Sequence, residues 1–490
     1  MAKPAASPKK KKTAVVVVHG MGEQRPMDTL WGLVTALWKR DPEVSDPDPN
    51  RVFTYSKPDD VTGSFELRRI TTGLGVIGRR FDFFECYWAH LMSGNTVDAV
   101  VSAVTTLLLR KRSTVPPRLV AVWIFGCVAM LLLSLLVIGI TLSGLPTQLR
   151  EQVFAPFDWH DLGWLALLPI LAFGLRWLGK VWIGPVAGDA ARYLSATPPN
   201  VGVRQTIREA AVDLLEKLHA RGDYDRIVVI GHSLGTAVAY DALTFAWSRI
   251  DGVALAAAHR ADRAATWALG RLERAAAALI AAKPADIGAR RIEYRQAQRA
   301  YFAELSRLTH DPGDGKGPRP FWLVSDFVST AAPLSKADVL MAHDPDDFKA
   351  RKKRRELPAC PPWLESMSPP RFSYYPKTGG GRAPHHAAVF GPTVWTNIYF
   401  ETEAIVLGDV IGGRVANLFG RGALDVRLKR GDSLFRHLDY WKDPEHADMA
   451  SGKPHPWITA LRKAANLNGV SDAQLWGVLA DVDEVAADHL

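Results

Sequence analysis

The residues that could do chemistry are concentrated in one short stretch, IVVIGHSLGT at 227–236. Ser233 stands between two glycines in a G-x-S-x-G pattern, which is typical of a nucleophilic serine on a sharp turn between a strand and a helix. A serine hydroxyl is a weak nucleophile at neutral pH, so it needs a base within hydrogen-bond reach and a group that orients the base. The N–H of Leu234 would be one donor to a developing oxyanion, because a helix N-terminus presents free N–H groups.

A second donor to the oxyanion is predicted at the end of another strand. The stretch VVVVHGMGEQ, 15–24, reads as a buried parallel strand that runs into a glycine-rich turn. Gly20 and Gly22 would let the backbone approach the substrate, and the N–H of Met21 or Gly22 would point into the site. We expect His19 to orient this turn. The same sequence also fits an ordinary strand-to-helix turn with no catalytic role, but its occurrence together with GHSLG favours the functional interpretation.

The base and the acid of a serine triad are expected further along the chain. The stretch DSLFRHLDYW offers His437 as the base, and NIYFETEAIVLGDVIGG offers Asp409 as the acid. Taken in the order serine, acid, base, these residues complete a Ser–His–Asp triad with Ser233. Glu401 and Glu403, at the end of the same predicted strand, are the alternatives to Asp409.

Several other polar residues invite a chemical role, and we expect a structural one for each. Asp241 lies on the helix after the serine, and Asp326 lies within a predicted strand, where a core carboxylate would be hydrogen-bonded. His232 would pack within the turn. His385 and His386 could hold a metal, but no third ligand has a suitable spacing, so we expect a solvated loop, no metal and no cofactor.

Alternating strands and helices must position these residues. The stretch VRQTIREAAVDLLEKLHA favours a helix that ends near Gly222, just before the strand that leads to the serine. An Ala- and Arg-rich region at about 250–310 predicts an inserted pair of helices, and 343–393 predicts a long loop. Three further strands are expected at 81–91, 321–330 and 394–402. We therefore expect an α/β fold with a mostly parallel central sheet and flanking helices.

Together, these motifs resemble the α/β-hydrolase-fold serine hydrolases related to lipases. The resemblance rests on VHGMGEQ, ECYWA, GHSLGTAVAYDAL, VSDFVSTAAPLSKAD, WTNIY followed by GDVIGG, and HLDYW, which span about residues 13–441. It implies that Ser233 is the nucleophile, Asp409 the acid and His437 the base. The sequence departs from the family pattern at TAAPL, which stands where the family usually shows a Gly-Ser-Pro-Leu turn.

Two apolar segments predict a transmembrane hairpin at 119–186. The first, 119–142, contains no charged residue and exceeds the roughly 20 residues that a helix needs to cross a bilayer. The second, 162–186, is weaker because Arg176 and Lys180 interrupt it, so an interfacial helix is its alternative. Cationic flanks and an acidic connection place the flanking chain on the cytoplasmic face.

The order of the motifs along the chain constrains this hairpin. The turn at Gly20 precedes the first apolar segment, whereas Ser233 follows the second. Both must line one site, so the chain crosses the membrane twice or not at all. Two hydrophobic helices that rest at the membrane surface as an interfacial lid are the alternative.

The composition limits which cellular compartment and which binding partners are expected. The three cysteines are scattered, which favours a reducing compartment over a disulfide framework. The net charge of +9 owes much to the basic start of the chain and to KARKKRR at 349–355, and blocks of this kind near a membrane meet anionic lipid more often than nucleic acid. No signal peptide is predicted, since the basic start leads into only a short apolar run.

The sequence therefore predicts a membrane-anchored serine hydrolase with its catalytic domain on the cytoplasmic face. We expect an acyl ester of a lipid or phospholipid as substrate and no nucleic acid partner, and leave the oligomeric state open. A non-catalytic membrane scaffold and an acyltransferase that uses the same triad are the alternatives. The predicted organisation is a basic tail at 1–12, hydrolase parts at 13–118 and 187–445, the hairpin at 119–186 and a helical tail at 446–490.

Overall fold

In a computed structural model, the chain forms two compact units, residues 1–91 with 201–490 and residues 92–200. The structure describes the following residues: 12–21, 25–46, 53–92, 123–124, 127–128, 131, 134, 193–194, 198–310, 321–378, 380–402, 408–409, 411–429, 436–442 and 453–476. The predicted basic tail lies outside these residues except for Lys12, and so do Gly22 and Glu403.

A sheet of eight strands forms the centre of the first unit. Its strands are β1 (Lys12–Val18), β2 (Thr54–Pro58), β3 (Arg68–Thr72), β4 (Phe81–Cys86), β5 (Tyr224–His232), β6 (Val324–Thr330), β11 (Val394–Phe400) and β12 (Leu424–Leu428). Four two-residue strands lie outside it: β7 (Ser366–Met367), β8 (Pro370–Arg371), β9 (Ser373–Tyr374) and β10 (Ala383–Pro384). The order across the sheet is β12-β11-β6-β5-β1-β4-β3-β2. All neighbours from β12 to β4 pair in parallel, and only β2 and β3 add antiparallel pairs at one edge.

Helices flank this sheet. They are α1 (Asp28–Val34), α2 (Pro198–Ala220), α3 (Leu234–Ser248), α4 (Gly252–Ala261), α5 (Arg263–Ile280), α6 (Ile287–His310), α7 (Ala337–Leu340), α8 (Pro345–Lys353), α9 (Ala416–Phe419), α10 (Pro456–Ala465) and α11 (Asp472–Trp476). Short 3-10 turns and a π-helical turn at Thr35–Lys39 complete the described elements. The prediction of an α/β fold with a mostly parallel sheet and flanking helices is confirmed.

Apolar side chains cover both faces of the sheet. On one face, Val15 and Val17 of β1 pack with residues of α1 and α10 in a single buried cluster. On the other face, α3 packs on β5 and β1, and a buried aromatic group surrounds Trp395, whose ring centroid is 4.7 Å from that of Phe390. Strands buried on both faces account for the continuous apolar runs of the sequence.

The segment 343–393 differs from the predicted long loop. It contains α8 and the four short strands, and much of it is buried. Glu273 of α5 holds it in place: one carboxylate oxygen accepts from the N–H groups of Phe372 and Ser373, and the other accepts from Arg382 at 2.7 Å. These contacts join residues about a hundred positions apart, so local sequence does not reveal them.

No helix among the described residues is long and apolar enough to cross a membrane. The predicted hairpin at 119–186 falls almost entirely outside the described residues, so it stays a prediction. Within 119–142 the structure describes six residues, all helical.

Candidate active site

Ser233 lies at the turn between β5 and α3, with φ 51° and ψ −129°. A residue other than glycine at positive φ costs about 1–2 kcal/mol and persists only where its surroundings enforce it. The Ser233 N–H donates to the carbonyl of Thr330 at 2.9 Å, which ties the turn to the end of β6. A Cβ on Gly235 would lie 2.2 Å from the carbonyl oxygen of His19, so α3 approaches the end of β1 this closely only because position 235 is glycine.

The predicted base lies beside the serine. His437 Nε2 is 3.0 Å from Ser233 Oγ, and His437 Nδ1 is 2.9 Å from Asp409 Oδ1. An ionised carboxylate only accepts hydrogen bonds, so His437 Nδ1 carries a proton toward Asp409, and in the neutral form of the ring Nε2 is free to accept the hydroxyl proton. The three side chains thus form a continuous chain of hydrogen bonds that can draw a proton from the serine.

Asp409 is fully buried and accepts hydrogen bonds from several donors. Besides His437, Oδ1 accepts from the N–H groups of Ile411 at 3.0 Å and Gly412 at 2.9 Å, and Oδ2 accepts from the Tyr440 hydroxyl at 2.5 Å. Burial alone would raise the pKa of Asp409, but the hydrogen bonds and the charge of His437 outweigh burial and hold that pKa at about 2. The carboxylate is therefore ionised at any physiological pH.

Glu401, one of the two alternative acids, does not occupy this position. Glu401 lies at the end of β11, where its carboxylate pairs with Arg427 at 3.0 Å and is 39% exposed. Glu403 lies outside the described residues. Of Asp409 and Glu401, the structure brings only Asp409 to His437.

His19 fixes the turn that follows β1. Its Nδ1–H donates to the carbonyl of Gly20 at 2.8 Å, and its Nε2 accepts from the N–H of Trp88 at 3.1 Å. Burial lowers the pKa of His19 to about 4, so the ring is neutral and can accept at Nε2. Because the C=O and N–H of a trans peptide point in opposite directions, this contact directs the Met21 N–H away from the His19 ring.

The turn after β1 lies directly against the predicted nucleophile. A Cβ on Gly20 would lie 2.9 Å from the Cβ of Ser233, so only glycine lets the two backbones come this close. Leu234 is the first residue of α3, where an N–H has no partner in a preceding turn. Two of the predicted oxyanion donors, Met21 and Leu234, are thus on turns that meet at the serine, whereas Gly22 lies outside the described residues.

The sequence did not reveal how the loop with His437 is held. His232 Nε2–H donates to the carbonyl of His437 at 2.8 Å, and its ring meets Trp441 edge-on with centroids 4.7 Å apart. Tyr440 accepts from the N–H of Phe400 at 3.1 Å while it donates to Asp409. Tyr440 and Trp441 belong to the motif HLDYW and His232 to GHSLG, but the roles of these residues depend on partners that are distant in the sequence.

The remaining polar candidates have structural partners. Asp241 accepts from Arg208 at 2.6 Å, and Asp326 pairs with Arg226 at 2.5 Å. The expectation of a solvated loop is wrong for His385, which is buried and donates to the carbonyl of Trp363 at 3.1 Å, whereas His386 is exposed. Within the described part of the chain, no group of three His, Cys, Asp or Glu side chains could hold a metal ion.

Comparison with known proteins finds no family model, no curated protein and no solved structure that matches the chain. The function therefore has to be inferred from the chemistry of the site itself. That site combines a strained serine, a histidine within hydrogen-bond reach of it and a buried carboxylate.

Proposed function

We propose that this protein is a serine hydrolase of the α/β-hydrolase fold that cleaves acyl esters. Ser233 is the nucleophile, His437 the general base and Asp409 the acid that orients the base. The observation that carries the proposal is the pair of hydrogen bonds, 3.0 Å and 2.9 Å, that joins Ser233 Oγ to His437 and His437 to buried Asp409. This constellation recurs on unrelated folds, so it is recognised by its geometry and the roles of its members.

The geometry suggests an acyl-enzyme mechanism. His437 Nε2 takes the Ser233 hydroxyl proton as Oγ bonds to the ester carbonyl carbon, and the carbonyl oxygen becomes an oxyanion that the N–H groups of Leu234 and Met21 can stabilise. His437 then gives the proton to the departing alcohol as the C–O bond breaks. A water molecule, deprotonated by the same histidine, attacks the acyl-enzyme and releases the carboxylic acid and the free serine.

We further propose that the enzyme is anchored to a membrane with its site on the cytoplasmic face, and that its substrate is a lipid or phospholipid ester. The support is the predicted hairpin together with Ile124, Val128 and Leu131, which are helical and 45%, 48% and 60% exposed. Their spacing of four and three residues puts them on one helix face. Large apolar side chains exposed along one face suit contact with lipid better than contact with water.

Hydrolysis of p-nitrophenyl esters of increasing acyl length by the purified full chain tests the catalytic proposal. We expect activity in the wild type, none above background in Ser233→Ala, and full activity in Ser248→Ala, a matched control at the exposed end of α3. A wild type that hydrolyses no ester would point to the scaffold alternative. Transfer of the acyl group to an added alcohol in preference to water would favour an acyltransferase.

Membrane anchoring has its own test. We expect the full chain to stay in the membrane fraction after an alkaline carbonate wash. Release into the wash would overturn the anchored form of the proposal and leave the catalytic part intact.

A further inference from the structure

The arginines of the basic run that the sequence singles out are paired with carboxylates within the fold. Arg351 and Arg354 both bind Glu356, at 2.8 Å and 2.6 Å, and Arg355 pairs with Glu365. The guanidinium groups of KARKKRR, which could bind carboxylates in pairs of hydrogen bonds, are therefore already engaged by neighbouring glutamates. A surface that recruits an anionic partner has to be sought elsewhere.

Helix α5 carries such a surface, formed by Arg263, Trp267, Arg271 and Arg274, which we call the α5 stripe. At about 100° per residue, these four positions fall within about 80° of the helix circumference. Trp267 is 61% exposed, and the Arg271 guanidinium lies 5.7 Å from its ring centroid. None of the three arginines pairs with a carboxylate of the described residues, in contrast to those of the basic run.

The opposite face of α5 fixes the helix to the protein. Leu269, Leu272 and Leu279 on that face are buried, and Glu273 anchors the segment around Phe372. The α5 stripe is therefore a rigid surface that needs no folding step to bind a partner, which lowers the entropic cost of binding.

We propose that the α5 stripe is a docking site for an acidic segment of a partner protein. Arginine forks bind carboxylates through paired hydrogen bonds, and tryptophan and arginine are the residues most enriched at the energetic centres of protein interfaces. The stripe from Arg263 to Arg274 spans about 16 Å at 1.5 Å per residue. An extended segment of about five residues covers that length, with carboxylates at the arginines and an apolar side chain on Trp267.

Two other anionic partners fit the same residues less well. A helix that binds a membrane surface buries its apolar face in lipid, but the apolar face of α5 is already packed inside the protein. Single-stranded nucleic acid is held by several aromatic rings that stack successive bases, whereas the stripe has one ring, and Arg271 lies over it.

Fluorescence anisotropy with a short fluorescein-labelled peptide of glutamates and one central leucine tests the proposal on the full chain. We expect Arg263→Glu/Arg274→Glu to weaken binding at least about tenfold, and Trp267→Ala about fivefold with no change in net charge. The matched control is Lys349→Glu/Lys353→Glu, which changes net charge equally at exposed positions of α8 and should cost less than about twofold. Thermal unfolding of each variant checks that these exposed changes leave the fold intact.

Equal loss in the control and stripe variants would overturn the proposal, because it would show attraction to net charge alone. No measurable binding of the peptide would overturn it as well. Tighter binding of phosphatidylcholine–phosphatidylserine vesicles or of a polyuridine RNA, lost in the stripe variants, would assign the surface to lipid or nucleic acid instead. None of these outcomes depends on the proposed hydrolase activity.

Discussion

Asparagine in place of Asp409 should remove the negative charge behind His437 while it keeps the imidazole in place. Oδ1 accepts from His437, Ile411 and Gly412, so the asparagine oxygen takes that position and the amide nitrogen takes the position beside the Tyr440 hydroxyl. His437 then keeps its proton on Nδ1. When His437 takes the serine proton it becomes an imidazolium cation, which the Asp409 carboxylate attracts. At an effective dielectric constant of about 20, two such opposite charges about 4 Å apart attract by about 4 kcal/mol. That energy corresponds to a rate change of about 1,000-fold.

Steady-state hydrolysis of p-nitrophenyl butyrate measures this change. We expect kcat of Asp409→Asn to fall about 1,000-fold with little change in KM, because the substrate does not touch the carboxylate. Asp409→Ala also loses the orientation of the ring and should fall further, by about 10,000-fold. Glu401→Gln, the control for the alternative acid, should stay within about twofold of wild type. A kcat of Asp409→Asn within tenfold of wild type, or an equal loss in Glu401→Gln, would refute the assignment.

Three further predictions concern stability. Tyr440→Phe removes a hydrogen-bond donor to Asp409 and leaves the buried N–H of Phe400 without its acceptor, so the free energy of unfolding in urea should fall by about 2–4 kcal/mol. A urea midpoint equal to that of the wild type would count against this role of the Tyr440 hydroxyl. Gly235→Ala should lower the free energy of unfolding by about 3 kcal/mol or more, because the added Cβ would lie 2.2 Å from a backbone oxygen. Gly202→Ala, where no atom lies within 4 Å of the added Cβ, should raise that free energy by about 0.5–1 kcal/mol. Thermal melts in which Gly235→Ala is not the less stable variant would contradict this packing. Folding lowers the pKa of Asp409 from 3.8 to about 2. The ionised carboxylate therefore stabilises the fold by about 2 kcal/mol above about pH 4, and this stabilisation is lost as the pH falls through about 2. The stability gap between wild type and Asp409→Asn in urea should therefore narrow on acidification, and a gap independent of pH would be evidence against the buried ionised state.

The central strands could be predicted because each buries both faces and reads as an apolar run. The antiparallel edge of the sheet could not be predicted, because four of the five residues of β2 are exposed and the strand has no apolar pattern. The segment 343–393 reads as a loop because its short strands are held by Glu273 from a distant helix. Non-local anchoring of this kind leaves no periodicity in the local sequence.

The residues of the candidate triad were easier to predict than the contacts that hold them in position. Ser233 was identified from a local strand–turn–helix pattern, and the structure brings Asp409 and His437 to it. The contact of His232 with the carbonyl of His437 and the contact of Tyr440 with Asp409 were not foreseen, because each joins residues that are far apart in the chain. His385 was misjudged for the same reason: glycine- and proline-rich surroundings suggested solvent, but distant residues bury it.

Covalent trapping of the serine tests the central claim most directly. The full chain is treated with a fluorophosphonate, digested, and mapped by mass spectrometry, with Ser233→Ala and His437→Ala in parallel and circular dichroism to confirm that both variants fold. The triad predicts one phosphonylated peptide with the adduct on Ser233, none in Ser233→Ala, and strongly slowed labelling in His437→Ala. Equal labelling of wild type and Ser233→Ala, or an adduct mapped to another residue, would contradict it.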